Sequence, residues 1–122
     1  MKLEVALKGM ASAQKNLRSV EGIGNPVFMS EAMMRLSQYT GCVEDHLAEL
    51  EKEAELAEAK SYMEMKAFGK SPSAAEKEAK YAVAEFKADI KRLTRLTTSA
   101  WRQVGVIQSR VNHLIREAQT QV

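Results

Sequence analysis

Apolar and small residues recur along two long stretches of this chain at alternating steps of four and three. Met29, Met33, Leu36, Thr40, Val43, Leu47, Leu50, Ala54, Ala57 and Ser61 form one row. Ala79, Val83, Phe86, Ile90, Leu93, Thr97, Ala100, Val104, Ile107 and Val111 form the other. That spacing keeps side chains on one seam of an α-helix, the a and d positions of a heptad. No proline interrupts either stretch, so helices over about 27–68 and 73–119 are predicted. Upstream, Leu3, Leu7, Met10 and Leu17 mark a shorter amphipathic helix over about 2–20, and EGIGNP at 21–26 ends it as a linker.

Between the long helices lies AFGKSPSAAEK. Gly69-Lys70-Ser71 matches the last letters of a phosphate-binding P-loop, but that motif needs a glycine where Glu64 stands and a buried strand upstream. KSYMEMKAF reads as helix instead. A turn over 69–72 fits better, with Gly69 as the left-handed residue closing one helix and Ser73-Ala74-Ala75-Glu76 as a capping box opening the next.

Folding the chain about residue 70 pairs the two rows layer by layer, from Ser61/Ala79 at the turn to Met29/Val111 at the far end. Each layer sets an a position against a d position, as an antiparallel pair requires. The e flanks then place Glu58 near Lys80 and Glu51 near Lys87, while Glu53 meets Asp89 on the other side. The expected fold is all-α: a long antiparallel coiled-coil helical hairpin, about 60 Å at 1.5 Å per residue, plus a short N-terminal helix. A two-helix hairpin leaves the flanks of its seam wet. Phe28, Met34, Tyr39, His46, Leu96 and Ile115 lie on or near those flanks, so the first helix is expected to cover one side and a second copy the other. This predicts an oligomeric helical bundle. Gly41 and Gly105 occupy equivalent heptad positions and mark an expected close crossing or bend.

Composition agrees with this picture. The 122 residues are 45% hydrophobic but 6% aromatic, and only two are proline, which suits helices rather than a sheet. One cysteine rules out an internal disulfide framework and fits a reducing compartment. No apolar run approaches the roughly 18 residues of a membrane span, and Glu4 and Lys8 interrupt the N-terminal stretch as a signal peptide. The expected location is the cytoplasm, with no membrane partner.

Candidate chemistry is sparse. Cys42, Asp45 and His46 share a helix face, but a structural zinc site wants four ligands and no second Cys or His pair is within reach. The carboxylates of HLAELEKEAELAEAK spread around their helix. His113 reads as a solvated residue. No catalytic residue, metal, cofactor or small-molecule substrate is therefore expected. Charge is more telling: the formal net charge is +2, yet residues 27–68 carry nine acids and four bases, and residues 72–122 five acids and nine bases. Arg95, Arg102 and Arg116 share the outward f position at multiples of seven. Lys91 and Arg92 extend this ridge, with Thr94, Thr98, Ser99 and Ser109 among them. Arginines and hydroxyls along a helix suit phosphate contacts, and Trp101 is placed to stack on a base.

The stretch from LAEAKSYMEMKAFGK through SAWRQVGVIQSRVNHLIREA resembles small helical proteins of phage recombination modules, nearest the UvsY-type recombination mediators. The shared elements are an acidic helix with Ala59-Lys60, a short break, and a long helix carrying Trp101, Ser109-Arg110 and an apolar end at Leu114 and Ile115. The resemblance covers about residues 44–118. It implies an oligomer that binds single-stranded DNA and helps load a recombinase where a single-strand-binding protein would block it. It also implies DNA contact through Arg95, Arg102, Arg110 and Arg116, in the cytoplasm of a bacterial host. The alternatives are a protein-binding module, such as a phage inhibitor of a host protein using the acidic arm, and a structural assembly component.

Overall fold

The computed structural model describes residues 1–19 and 24–120, which form helices and short turns with no strand among them. Part of the expected linker, residues 21–23, lies outside the described residues. The elements are α1 (Leu3–Arg18), α2 (Pro26–Ala67), α3 (Pro72–Ala82) and α4 (Ala84–Thr120). The protein is all-α.

Local chemistry sets the helix ends. Asn25 opens α2: its Oδ1 accepts the Phe28 N–H at 3.2 Å, and Pro26 takes the first helical position, where its missing N–H costs nothing. At the other end the Lys70 N–H donates to the Met65 carbonyl at 3.1 Å and the Gly69 N–H to the Lys66 carbonyl at 3.0 Å. This is a Schellman closure, and it requires the positive φ of 83° that Gly69 adopts. The cap of α3 is Ser71 rather than the expected Ser73. Its Oγ accepts the Ala74 N–H at 3.2 Å, and Pro72 follows as the first helical residue. A serine directly before a proline is already in the extended conformation that a cap needs.

The helix expected over 73–119 is two helices. Val83 stands between α3 and α4 at φ −107° and ψ 9°, although neither proline nor glycine is present to break the run. Nothing in the local sequence accounts for the break, since Val43 is equally β-branched and fully buried yet lies inside α2.

The chain forms two compact units, residues 1–44 with 95–122 and residues 45–94. The first unit combines α1, the start of α2 and most of α4. Its core holds Met10, Leu17, Met29, Leu36, Val43, Ile107 and Val111, with Ala6, Ala13, Ala32 and Ala100 between them. Thr40 and Thr97 are buried there too, and the Thr40 hydroxyl is satisfied by donating to the Leu36 carbonyl at 2.6 Å. The buried stripe of α1 is Ala6, Met10, Ala13 and Leu17, whereas the expected Leu3 and Leu7 are half-buried. Small residues let the helix sit close. A Cβ on Gly9 would fall 2.5 Å from ring carbons of Tyr39, so α1 approaches that ring as only glycine allows. Tyr39, expected at an interface between copies, packs against α1 beside Gly9 and is half-buried.

The second unit contains the rest of α2, α3 and the start of α4. Its buried apolar residues are Ala54, Ala75, Ala79, Val83 and Leu93, and Leu47, Leu50, Phe86 and Ile90 are half-buried. Taken over both units, the two seam rows contain no exposed position: twelve of the twenty are buried and eight half-buried. Gly41 and Gly105 do not mark a close crossing, because a Cβ added at either meets nothing within 4 Å.

A candidate nucleic-acid interface on α4

No acid occurs between Asp89 and Glu117, a run in which Lys91, Arg92, Arg95, Arg102, Arg110 and Arg116 all fall. Each of the six is exposed. Lys91 and Arg92 belong to the unit of residues 45–94, and the four later arginines to the other unit. The seam explains the exposure. Leu93, Thr97, Ala100, Ile107 and Val111 turn inward on α4, which leaves the f positions of Arg95, Arg102 and Arg116 facing outward. None of these cations takes part in an ion pair among the described residues. The pairs formed there are Lys70–Glu78 at 3.7 Å and Lys87–Glu58 at 3.8 Å, and His113 Nε2 lies 3.1 Å from Glu117 Oε1. Guanidinium groups held in this way keep their donors for an incoming anion.

The hydroxyls contribute less than expected. Thr94 Oγ1 donates to the Ile90 carbonyl at 2.7 Å and Ser109 Oγ to the Gly105 carbonyl at 3.2 Å, each bonding one turn back along its own helix. Their hydrogens are directed at the backbone rather than outward, so the arginines carry the site.

Trp101 is 40% exposed, and its Nε1 donates to Glu44 Oε1 at 2.7 Å. The indole edge is thus fixed by a carboxylate from α2, and a negative charge sits beside the row. The sequence reading missed this partner because it placed charge pairs on the e flanks one heptad away. Lys87 likewise meets Glu58 and not Glu51. Glu44 and Glu58 are two heptads apart, as are Lys87 and Trp101, so both observed pairs follow one offset between the e flanks.

Among the other expected interface residues, the structure brings Met34 and Ile115 together. With Pro26, Val27, Ser30 and Glu31 they line a shallow groove of about 320 Å3 in the first unit. Phe28 and His46 are half-buried, and Leu96 is partly exposed without lining that groove. Val27 is exposed and, one heptad before Met34, could have been found from the same heptad position. Lys70, the lysine of the P-loop-like triplet, is paired with Glu78 beside the turn. Cys42 Sγ lies 3.8 Å from the Met1 carbonyl, and among the described residues no three His, Cys, Asp or Glu side chains converge on a metal position. None of the described helices is long and apolar enough to cross a membrane.

In class, then, the described residues form four helices and no strand, with an arginine row on the last helix. No family model, curated protein or solved structure matches it.

Proposed function

We propose that this chain is a non-enzymatic helical oligomer that binds single-stranded DNA, or a protein bound to it, and assists recombination or replication in the manner of a phage recombination mediator. The observation that carries the reading is the acid-free, unpaired arginine row of α4. Four of its arginines share one unit, and a flexible polyanion needs only a line of donors at helical spacing, not a shaped pocket. The fold behind the reading is an antiparallel coiled-coil hairpin, supported by seam rows with no exposed position and by the common offset of Lys87–Glu58 and Trp101–Glu44. The groove around Val27, Met34 and Ile115 supports association with further copies or with a recombinase or single-strand-binding protein.

The experiment is a titration of a labelled, unstructured oligonucleotide over a range of salt. For single strands the logarithm of the binding constant falls with the logarithm of salt by about 0.7 per phosphate neutralised. Arg95→Glu with Arg102→Glu should abolish binding while the helical circular dichroism is unchanged. Absence of binding by the wild type at low salt would sink the DNA reading.

One observation favours a second reading, a protein-binding module. The Trp101 indole N–H is already bonded to Glu44, so its ring is less free to stack on a base than an unattached tryptophan. In that case the partner is a protein, and the same titration shows no oligonucleotide binding at any salt.

A further inference from the structure

The unit of residues 45–94 carries a groove of about 450 Å3 that the proposed DNA contact does not use. Its apolar part comes from Ala59, Tyr62, Met63 and Ala79, between α2 and α3. Glu55, Glu58 and Glu76 also line it, against the single ammonium of Lys80. Glu58 is engaged with Lys87, whereas Glu55 and Glu76 are in no ion pair among the described residues. Met63 is 69% exposed. An apolar strip edged by free carboxylates fits an apolar side chain flanked by cations.

The same chain displays that complement. Val106 on α4 is 68% exposed, with Arg102 one turn before it and Arg110 one turn after. Residues four apart lie on one helix face, so the row reads cation, aliphatic, cation. We infer that this groove docks α4 of a second copy, Val106 entering between α2 and α3 while Arg102 and Arg110 meet Glu55 and Glu76. Charge complementarity selects that occupant: the groove's unit carries nine bases and eleven acids, and the unit bearing Arg102 and Arg110 nine bases and five acids. The contact is a helix laid in a groove, with long arginine stems covering apolar surface as their heads reach the carboxylates. It joins unlike surfaces, so it propagates from copy to copy into a ring or a filament. It also occupies Arg102 and Arg110, so a bound polyanion and a docked copy exclude each other there, and each weakens the other by the same factor.

The test is sedimentation velocity of the full chain at about 0.1 M and about 1 M salt, between which the screening length falls from about 10 to about 3 Å. The wild type should lose mass at high salt, and a mass independent of salt overturns the proposal without any variant. Arg102→Glu with Arg110→Glu, and separately Glu55→Lys with Glu76→Lys, should each lack the salt-sensitive association. An equimolar mixture of the two should restore it, because each retains the surface the other has lost and the reversed charges of one also face opposite charges on the other. Persistence in either variant alone, or a mixture no heavier than its parts, overturns the proposal. The groove variant keeps its arginines, so its oligonucleotide titration tests the DNA reading separately.

Discussion

The unit of residues 1–44 and 95–122 and the unit of residues 45–94 share one seam spacing but bury very different side chains. In the first, three helical segments enclose Met29, Leu36, Ile107 and other large aliphatic residues, and α1 closes over Tyr39. In the second, three of the five buried apolar residues are alanines, and Leu93 and Val83 are the largest. Removing a leucine from water contributes about 1.5–3 kcal/mol and an alanine far less, so the second unit rests on closely spaced backbones and on caps. A common periodicity can therefore specify two regions of unequal stability. The thinner region also carries a net acidic charge and a groove edged by carboxylates.

That contrast can be broken most directly at Leu36, which is fully buried in the first unit. Leu36→Ala should destabilise by about 2–5 kcal/mol, through lost transfer energy plus the cavity left behind. Chemical denaturation measures it, and a loss under 1 kcal/mol would mean that the first unit is no better packed than the second. Gly9→Ala is expected to cost about 1–3 kcal/mol, because the new methyl must displace the Tyr39 ring. Combining it with Tyr39→Ala should cost less than the two single changes added together, which a double-mutant cycle reads directly. Ser71→Ala has the smallest effect, about 1 kcal/mol from the lost cap. Hydrogen exchange should quicken at amides of α3 while those of α1 stay protected. Equal acceleration in both would show the units to be one cooperative block.

The sequence made the seam legible because a period of alternating four and three is visible at any residue size. It misjudged α1 because Leu3 and Leu7 outrank Ala6 and Ala13 in apolarity, whereas close approach beside Gly9 rewards the alanines. The interruption at Val83 carries no breaker and was not legible. The outward arginines followed from the seam, since residues opposite a buried row must face water. The Trp101–Glu44 bond did not, because it depends on which of two neighbouring heptads a long side chain reaches. The grooves depend on how helices converge, which a one-dimensional pattern does not encode.

Trp101 is the chain's single tryptophan. Indole emission, distinct from that of the three tyrosines, therefore has one source, and that source is tied to a carboxylate next to the arginine row. A strand of phosphates drawn to those arginines would repel that carboxylate electrostatically, so the indole emission becomes a built-in optical gauge of occupancy, requiring no added dye.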